Sequence, residues 1–324
     1  MRGLTGNMRW IVATVAMLNA TTAFALDKLK IAVGGGGTTY DTAFAIAAKT
    51  AGIYEKHGLD VEFLTTSGGG ETLQAVISGG ADIGLAAGLT GVMGAYSKGA
   101  PIRAISIQDT GADETFVYVP TNSPIKSFSD AGGKTVGFST VGASTYTFVS
   151  GLADVYKIKP RMTATGSIPA TYTAVMSGQI DVGWGALPFG LQEMKDGKIR
   201  ILAWGSEVEG LHNLTLRVNI TNAATLAGRA DVLRKFMAAY VDALDWAYAS
   251  PEAVKVVAKM VGASEEVVEE TRSKHTLKQQ LQPYDMHGLD RSMQDAIEFK
   301  YISAPLTREQ QAELFQIGPL LPPR

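Results

Sequence analysis

Two short segments of the sequence have residue types and spacings that could perform chemistry. Gly132-Gly133-Lys134-Thr135 is similar to the end of a phosphate-binding loop, but Phe128 stands where that motif needs a glycine, and the segment precedes a strand instead of a helix. Gly142-Ala143-Ser144-Thr145-Tyr146 begins like a nucleophile elbow, but Tyr146 replaces its final glycine. We therefore predict no catalytic residue in either segment, and Ser144 is expected to cap a helix or to donate to a ligand.

The histidines, carboxylates and cysteines predict no metal or acid–base centre. Four histidines occur, at His57, His212, His275 and His287. They share no spacing typical of metal ligands, and none lies near the loops considered below. Asp82 and Asp181 begin strands at equivalent positions of a repeated segment, so we expect them to cap turns instead of forming a catalytic pair. The chain has no cysteine. We therefore predict a protein that is not an enzyme, with no metal and no cofactor.

Composition excludes several further classes of function. The 324 residues carry 29 basic and 31 acidic side chains, a formal net charge of −2, which is not the basic excess that nucleic-acid binding requires. A hydrophobic share of 46% excludes intrinsic disorder. The length is enough for two hydrophobic cores, and the 36 glycines indicate many tight turns and close backbone approaches. We expect a monomer that binds a small molecule.

Residues 1–25 are predicted to be a cleavable secretory signal peptide. Arg2 and Arg9 supply its positive charge, Trp10 to Leu18 its apolar segment, and Ala23-Phe24-Ala25 its cleavage site. The apolar segment is too short to span a membrane. Export without cysteine fits a bacterial periplasm, where the protein would need no oxidation to fold.

The mature chain begins with a unit of strand, glycine loop, helix and strand. Lys28 to Val33 is predicted as a strand, Gly34 to Gly37 as a loop, Thr39 to Tyr54 as a helix, and Asp60 to Leu64 as a second strand. Such a βαβ unit implies a parallel sheet with helices on its faces.

Part of this pattern occurs twice. Residues 75–87 (AVISGGADIGLAA) and 174–186 (AVMSGQIDVGWGA) share seven of thirteen residues at an offset of 99. Each copy is a helix ended by glycine, followed by a buried strand with an aspartate near its start. Two copies indicate two lobes of similar α/β topology rather than a solenoid.

We predict that lobe 1 comprises residues 26–114 and 214–324 and that lobe 2 comprises residues 115–213. The polar segments Gln108 to Glu114 and Ser206 to Asn213 would be the two crossovers and would form a hinge. Residues 214–220 alternate like a strand. Helical patterns expected to pack on lobe 1 follow it, at Ala230 to Ala249, Pro251 to Met260, Ser264 to His275 and Leu289 to Phe299.

The loops that follow the predicted strands should face one another across a cleft between the lobes, because ligands bind at the carboxyl ends of strands in open α/β sheets. These loops are rich in Gly, Ser, Thr and aromatic residues, which permit close backbone approach and hydrogen bonding, although the same residues also serve for capping alone. They are Gly34 to Tyr40, Thr65 to Glu71, Ala86 to Gly91, Ser139 to Tyr146 and Gly185 to Phe189. Trp184 ends a strand and is either a cleft wall or a core residue.

Several segments resemble the nitrate/sulfonate/taurine family of periplasmic solute-binding proteins, which includes receptors for thiamine-pyrimidine precursors. They are residues 51–62 (AGIYEKHGLDVE), 67–69 (SGG), 81–84 (ADIG) and 127–137 (SFSDAGGKTVG). The resemblance implies a two-lobed α/β periplasmic binding protein of type II, each lobe a mixed, mostly parallel sheet flanked by helices. The sequence departs from the family pattern in its run of four glycines, Gly34 to Gly37, and in the absence of an obvious Arg or Lys in the cleft loops.

Transferred by position, the resemblance places the ligand contacts in the cleft loops. They fall on Thr38, Thr39, Ser67, Gly68, Leu89, Thr90, Ser139, Gly142, Ala143, Ser144 and Trp184. It implies a receptor that delivers a small organic anion or a polar or aromatic ligand (a sulfonate, carboxylate or pyrimidine) to the membrane subunits of an ABC importer. The alternatives are a pyrimidine-processing enzyme on the same fold, which would need a convergent acid, base or nucleophile in the cleft, and a ligand-binding sensor.

Overall fold

The computed structural model describes residues 25–324, so the predicted signal peptide lies outside it except for Ala25. In these residues the chain forms mixed α/β structure. The strands are β1 (Asp27–Val33), β2 (Leu59–Thr65), β3 (Ile83–Gly88), β4 (Ile102–Thr110), β5 (Thr115–Pro120), β6 (Thr135–Phe138), β7 (Arg161–Ala164), β8 (Gly183–Ala186), β9 (Ile199–Trp204) and β10 (Thr215–Asn222).

Helices separate most of the successive strands as far as β9, except around β5, and they dominate after β10. They are α1 (Tyr40–Thr50), α2 (Ile53–Lys56), α3 (Gly69–Ile77), α4 (Leu89–Ser97), α5 (Ser144–Val155), α6 (Ile168–Met176), α7 (Leu191–Lys195), α8 (Ala223–Gly228), α9 (Ala230–Ala249), α10 (Pro251–Val261), α11 (Glu265–Glu270), α12 (Leu289–Glu298) and α13 (Arg308–Leu314). The predicted α/β class, with sheets flanked by helices, is confirmed.

The first sheet has five strands in the order β2-β1-β3-β10-β4. Strand β1 runs parallel to β2 and β3, as a βαβ unit requires, whereas β10 runs antiparallel to β3 and β4. The chain therefore leaves this sheet after β4 and returns to it with β10, which lies between two strands that precede it by more than a hundred residues.

The chain between these two strands forms a separate set of strands. β5 pairs antiparallel with β8 and β9, and β6 pairs parallel with β7. A parallel bridge between Val136 and Val182 joins β6 to the segment that leads into β8. We refer to β5–β9 together as the second sheet.

The C-terminal helices divide between the two sheets. Helix α9 buries Phe236 and Tyr240 in the apolar core of the first sheet, and the ring of Phe236 stacks on Tyr54 with their centroids 6.0 Å apart. Residues 264–275, expected to pack on the first lobe, do so through Val268, which packs with Tyr40 and Ala43 of α1, and they also reach the second sheet. Val267 of α11 belongs to the same apolar cluster as Phe116 of β5, and His275 stacks on Trp204 at 5.7 Å.

Glycine explains one difference between the expected and observed helices. The sequence predicts a continuous helix from Thr39 to Tyr54, but α1 ends at Thr50 and α2 begins at Ile53. Gly52 between them has a φ of 68°, in the left-handed region that a continuous helix does not use. The chain therefore turns after α1 and reaches β2 through a second, short helix.

The internal repeat is also visible in the side-chain hydrogen bonds. The hydroxyls of Thr66 and Thr72 lie 2.7 Å apart, and the hydroxyls of Thr165 and Thr171, 99 positions later, also lie 2.7 Å apart.

The two repeated aspartates bond equivalent strands in the same way. Asp82 accepts the Lys30 N–H of β1 at 2.8 Å, and Asp181 accepts the Thr135 N–H of β6 at 2.8 Å. Each carboxylate thus bonds to the first strand of its copy of the repeated unit. We expected these aspartates to cap turns, but they bond to a neighbouring strand instead.

The contact between Asp181 and Thr135 should contribute measurably to stability. Asp181 accepts from both the backbone N–H and the hydroxyl of Thr135, and chiefly these bonds hold the pKa of its carboxyl below the ordinary value. We expect Asp181→Ala to lower the free energy of unfolding by about 1–2 kcal/mol at pH 7.

Because the folded-state pKa of Asp181 is lowered, its stabilisation is present above the unfolded-state pKa of about 3.9 and is lost as the pH falls through the folded value. Urea unfolding of wild type and variant at pH 7 and below pH 4 should therefore show a difference that shrinks in acid. Asp60→Ala, at an exposed position of β2, is the control and should change stability by less than about 0.5 kcal/mol. An equal loss in both variants would contradict the assignment.

Candidate ligand-binding site

A small cavity lies where the carboxyl end of the first sheet meets the second sheet. Its volume is about 30 Å³, roughly that of one water molecule. It is lined by Gly34, Gly35, Thr39, Gly68, Gly69, Ala86, Ser139, Ala143, Ser144, Thr145, Trp184 and Arg217. Both sheets therefore contribute to one site, at the strand ends where α/β proteins bind ligands.

Glycines permit the two sides of this site to approach closely. A Cβ atom at Gly91 would lie 2.2 Å from the carbonyl oxygen of Gly142, and one at Gly88 would lie 2.4 Å from the same oxygen. A Cβ at Gly70 would lie 2.1 Å from the Val141 oxygen. Larger residues at these three positions would hold the sides apart, so this glycine seam (Gly70, Gly88, Gly91) fits the contact with the loop at residues 139–143.

Four helices begin around the cavity, and none of their N-cap residues makes a side-chain cap hydrogen bond. Two of the first N–H groups have partners elsewhere, since the Tyr40 N–H donates to the Leu187 carbonyl and the Gly70 N–H donates to the Thr140 hydroxyl. The N-cap residues of α1, α3, α4 and α5 are Thr39, Gly68, Gly88 and Ala143, and three of these four line the cavity. The first N–H groups of a helix lack intrahelical acceptors and carry partial positive charge. Their convergence makes the site favourable for an anion.

Helix α6 shows the ordinary arrangement for comparison. It occupies the same place in the second repeat as α3 does in the first, and its N-cap Ser167 accepts from the Ala170 N–H. Ser167 does not line the cavity. Gly68, 99 positions earlier, has no side chain with which to cap α3, and it faces the cavity. The two repeats therefore differ at the position where the site is built.

Trp184 forms one wall of the cavity and is also a core residue. Its side chain on β8 is 3% exposed and packs with Ile168, Ala186 and Phe189. The indole Nε1 is buried and has no hydrogen-bond partner among the described residues. A buried donor without an acceptor is costly, and a ligand oxygen in the cavity would satisfy it.

Arg217 of β10 is the charged residue of the lining that sequence reasoning missed. Its Nε donates to Asp109 Oδ2 at 2.9 Å, its Nη2 donates to Asp109 and Glu114, and its Nη1 lies 3.2 Å from Asp41 Oδ2. All three carboxylates are buried. We refer to these four side chains as the arginine cluster.

A glutamine connects the arginine cluster to the cavity wall. Gln108 Nε2 donates to Asp41 Oδ2 at 3.0 Å, and its Oε1 accepts from the backbone N–H of Ala86. Ala86 lines the cavity with a φ of 62°, a conformation uncommon for a residue with a side chain. The cluster therefore fixes a strained residue of the site through Gln108.

Burial dominates the ionisation of the cluster. It raises the pKa of Asp109 well above the ordinary value and also raises the pKa of Glu114, although the guanidinium of Arg217 opposes both shifts. The carboxylates in turn keep Arg217 protonated against the effect of its own burial, so that the pKa of the guanidinium is raised.

The structure corrects the interpretation of the segment Gln108 to Glu114 as a polar crossover. Gln108, Asp109 and Thr110 belong to β4, and the connection to β5 is only residues 111–114. Gln108, Asp109 and Glu114 are buried, each at 2% exposure or less. Their polarity serves the arginine cluster and not solvent.

Six of the eleven predicted ligand-contact residues line the cavity: Thr39, Gly68, Ser139, Ala143, Ser144 and Trp184. The structure also settles the role of Ser144 in its helix. It is the first residue of α5 and not its cap, and its hydroxyl makes no hydrogen bond with any described residue. Ser139 is satisfied internally, because its hydroxyl lies 2.8 Å from that of Thr145.

The other five predicted residues lie outside the lining. The Thr38 hydroxyl donates to the Gly35 carbonyl at 3.0 Å, and Ser67 lies beside the cavity-lining Gly68. Leu89 and Thr90 were placed on a loop, but α4 begins at Leu89, which packs in the apolar core. The Gly142 N–H donates to the Tyr301 hydroxyl at 3.1 Å, and this residue presses against Gly91.

A larger groove of about 570 Å³ lies at the opposite ends of the strands of the first sheet, and it does not carry the same features. Its lining includes Lys30, Lys49, Asp60 and Asp82. Lys49 already donates to the Val61 carbonyl, and Asp82 is bonded to Lys30 and Arg229. No helix of the described chain begins in that lining.

These features define an α/β protein with the periplasmic binding protein fold and a site between its two sheets. The family described as NMT1/THI5 like matches residues 39–254, and the chain belongs to this family. The resemblance drawn from the sequence is thereby confirmed. No curated protein matches the sequence significantly.

Solved structures share the fold at low sequence identity. The alkanesulfonate-binding protein SsuA from Xanthomonas axonopodis pv. citri bound to MOPS is 18% identical, with a TM-score of 0.72 over 90% of this chain and 98% of that chain. The periplasmic nitrate-binding protein NrtA from Synechocystis PCC 6803 is 15% identical, with a TM-score of 0.67 over 89% and 85%. A mutant of DSZB in complex with biphenyl-2-sulfinic acid is 16% identical, with a TM-score of 0.59 over 88% and 95%.

Two kinds of feature are absent from residues 25–324. No helix in this range has the length and apolar character to cross a membrane. No group of three or more histidine, aspartate or glutamate side chains in this range could hold a metal ion.

The arginine cluster should be a large contributor to stability. Arg217→Met removes the cation and leaves buried carboxylates without a partner, so we expect the free energy of unfolding to fall by about 3–5 kcal/mol at pH 7. Arg234→Met is the matched control, because the pair of Arg234 and Asp231 is exposed, and it should cost less than about 1 kcal/mol. Urea unfolding followed by circular dichroism measures both. Similar losses of unfolding free energy in the two variants would show that the buried cluster contributes no more to stability than an exposed ion pair.

Proposed function

We propose that the chain is an extracytoplasmic solute-binding receptor that delivers a small anionic ligand to an ABC importer. The observation that carries the proposal is the convergence of three helix N-termini, those of α1, α3 and α5, whose N-cap residues make no side-chain cap and line one cavity. The unpaired Nε1 of Trp184 adds a buried donor at the same place. Helix N-termini and buried N–H donors together favour a bound anion over a cation.

The family and its structural relatives support a receptor for an anion. Two of these relatives are an alkanesulfonate-binding protein and a nitrate-binding protein. Both are oxyanions whose charge is spread over three oxygens, and such a group can accept from several N–H donors at once. We therefore propose a sulfonate, a carboxylate or nitrate as the ligand, ahead of a pyrimidine.

Binding requires the two sides of the cavity to separate. About 30 Å³ holds one water molecule and no organic anion, and the glycine seam packs the two sides against each other. We propose lobes of residues 26–114 with 214–324 and of residues 115–213, which rotate about the connection at residues 111–114 and the segment from Ser206 to Asn213. A ligand that contacts both lobes would stabilise the closed form through its higher affinity for that form.

The lining of the cavity favours binding over catalysis. Among the residues that line it, Arg217 is the titratable one, and its guanidinium stays protonated. A hydrolytic or transferase site would need a nucleophile with a neighbouring base. The hydroxyls of Ser139 and Ser144 have no such base among the lining residues. We therefore propose a binding protein, exported to the periplasm by the predicted signal peptide, which meets the membrane subunits of the importer in its closed form.

The ligand contacts can be tested with two variants once a ligand is known. A thermal-shift screen of sulfonates, carboxylates, pyrimidines and nitrate on the mature protein should identify one. Ser144→Ala removes a hydroxyl at the first turn of α5, and we expect roughly tenfold weaker binding because the hydroxyl bonds an anionic acceptor. The melting temperature of the unliganded protein should stay nearly unchanged, because Ser144 caps no helix.

Trp184→Phe removes the indole N–H and preserves most of the wall, and it should also weaken binding. The matched control is Ser167→Ala, which removes a serine hydroxyl that caps α6 outside the lining; it should lower stability by about 1 kcal/mol and leave affinity unchanged. Isothermal titration calorimetry measures all three variants. Wild-type affinity in both Ser144→Ala and Trp184→Phe would place the ligand elsewhere.

Closure can be measured independently of the contacts. We expect small-angle scattering to show a smaller radius of gyration with saturating ligand than without it, because the ligand favours the closed form. Gly91→Leu should abolish this change, since its side chain would occupy the space of Gly142. Gly99→Leu, at an open surface position, should be destabilising but should retain compaction. No compaction of the wild type at saturation would reject the two-state account.

A further inference from the structure

The arginine cluster is arranged with its cation toward the cavity and its carboxylates behind. Arg217 lines the cavity, whereas Asp41, Asp109 and Glu114 are buried and do not line it. A molecule in the cavity therefore meets the guanidinium before any of the three carboxylates. A cation would be repelled by the first charged group that it reached, and an anion would be attracted.

The guanidinium keeps hydrogen-bonding capacity for a ligand. It has five N–H donors, of which the Nε–H and those of Nη2 are taken by Asp109 and Glu114. The contact of Nη1 with Asp41 Oδ2, at 3.2 Å, is an ion-pair contact and not a well-formed hydrogen bond. Nη1 can therefore donate to a ligand oxygen together with Trp184 Nε1 and the N–H groups of Ser144 and Thr145.

The charge of the cluster sets a condition on anion binding. One guanidinium and three ionised carboxylates sum to −2, and a further negative charge in a poorly solvated site would raise the energy of every carboxylate. Protonation of a carboxyl group relieves this repulsion. Burial already raises the pKa of Asp109 and of Glu114, so these two groups are the natural proton acceptors.

Other titratable groups around the cluster stay neutral. Tyr240 and Tyr248 of α9 face it, and Tyr40 of α1 lies next to Tyr248. Burial raises the pKa of each phenol, so none of them ionises in the neutral range. Asp41 of α1 is the remaining carboxylate, and Arg217 is the cation.

We propose that Arg217 recognises the charge of a small monoanion in the cavity and that Asp109 or Glu114 takes up a proton when this anion binds. The inference rests on the proposed function. It specifies the charge of the receptor's ligand and the number of protons that the protein takes up when the ligand binds. The bound anion makes the protonated form of the carboxyl group more favourable, so the complex holds more protons than the free protein.

The sign of the pH dependence follows from this uptake. Affinity is highest when the accepting carboxyl group is protonated in the free protein, and it falls as the pH rises above that point. For one proton the dissociation constant rises by up to about tenfold per pH unit. Nitrate, methanesulfonate and benzenesulfonate are suitable probes because they remain anionic from pH 5 to pH 8, so their own titration does not contribute.

The experiment is calorimetric titration of the mature wild-type protein with these three anions. Titrations in two buffers of different ionisation enthalpy give the number of protons taken up, and titrations from pH 5 to pH 8 give the change in affinity. We expect uptake of up to about one proton and weaker binding at higher pH. Tryptophan fluorescence, compared in Trp184→Phe, reports whether the probe enters this cavity. Methylguanidinium and benzamide serve as cationic and neutral probes.

Two variants at the proton acceptors, one control and one substitution of Arg217 test the assignment. Glu114→Gln and Asp109→Asn keep the shape of each side chain, and together they should flatten the pH dependence of affinity and abolish proton uptake. Asp295→Asn is the matched control, a buried carboxyl group paired with Arg291 on α12, outside the arginine cluster, and it should leave both unchanged. Arg217→Lys keeps the charge but loses the planar fork, and it should weaken anion binding at least tenfold. Thermal melts verify that each variant is folded.

The outcomes separate this inference from the proposed function. Anion binding with pH-independent affinity and no proton uptake would overturn the inference, as would an effect of Asp295→Asn equal to that of Glu114→Gln. If only a cationic or neutral solute binds beside Trp184, the chain is still a solute receptor, but the anionic class of its ligand and the role of Arg217 are both rejected. If no solute binds at all, the proposed function fails and the inference fails with it.

Discussion

Arg217 is held by carboxylates from three separate segments of the chain. Asp109 lies on β4, Glu114 lies in the connection that leads to β5, and Asp41 lies in the first turn of α1. The guanidinium itself is on β10, the strand by which the chain returns to the first sheet. One buried cation thus joins the exit from this sheet, the return to it and the helix that begins beside the cavity. Removing the guanidinium leaves three buried carboxylates without compensation, and its contacts with all three explain why so polar a group can lie in the interior.

The two copies of the repeat show how one topology serves two purposes. The hydroxyl pair and the aspartate that bonds a neighbouring strand occur in both copies, because both must join a strand to the helix and strand that follow it. The copies differ at the helix cap, where Ser167 caps α6, whereas Gly68 has no side chain to cap α3 and only the Gly70 N–H of α3 finds a side-chain acceptor, the Thr140 hydroxyl. The cavity therefore owes its exposed N–H groups partly to a side chain that is absent. A serine at Gly68 would restore the cap but would meet Ser139 and Thr140, because a Cβ there already lies within 2.8 Å of their hydroxyl oxygens.

Sequence patterns predicted the parts of this protein that depend on local rules. The βαβ unit, the repeat and the placement of Ser139, Ser144 and Trp184 at strand ends all follow from periodicity and from the position of ligand sites in α/β sheets. Arg217 could not be found in this way. Thr215, Arg217 and Asn219 alternate with apolar residues, a pattern typical of a strand with one solvated face, but β10 lies between β3 and β4 and is buried on both faces. The polar residues Gln108, Asp109 and Glu114 were the part of the sequence that could have indicated a buried polar cluster. The cation that the two carboxylates contact, Arg217, lies more than a hundred residues further along the chain. Leu89 was misplaced for a local reason, since α4 begins directly at the end of β3 without a loop.

Neutral donors and a single cation can recognise an anion only where water is excluded, because the same hydrogen bonds contribute little in water. The glycine seam provides that exclusion, since the backbones at Gly88 and Gly91 approach the loop at Gly142 more closely than any side chain would permit. The donors themselves come from both sheets: the N-termini of α1 and α3 and the guanidinium from the first, and the N-terminus of α5 and the indole from the second. Under the proposed function, an anion can engage all of them only when the two sides meet. Closure would then bring all the donors to the anion and would strengthen each of their hydrogen bonds by excluding water. An anion of the right size would therefore bind the closed form more tightly than the open form, and this difference in affinity would favour closure. The buried carboxylates behind Arg217 oppose anion binding, because excluding water also strengthens their repulsion of the ligand. Protonation of one carboxyl group reduces this repulsion.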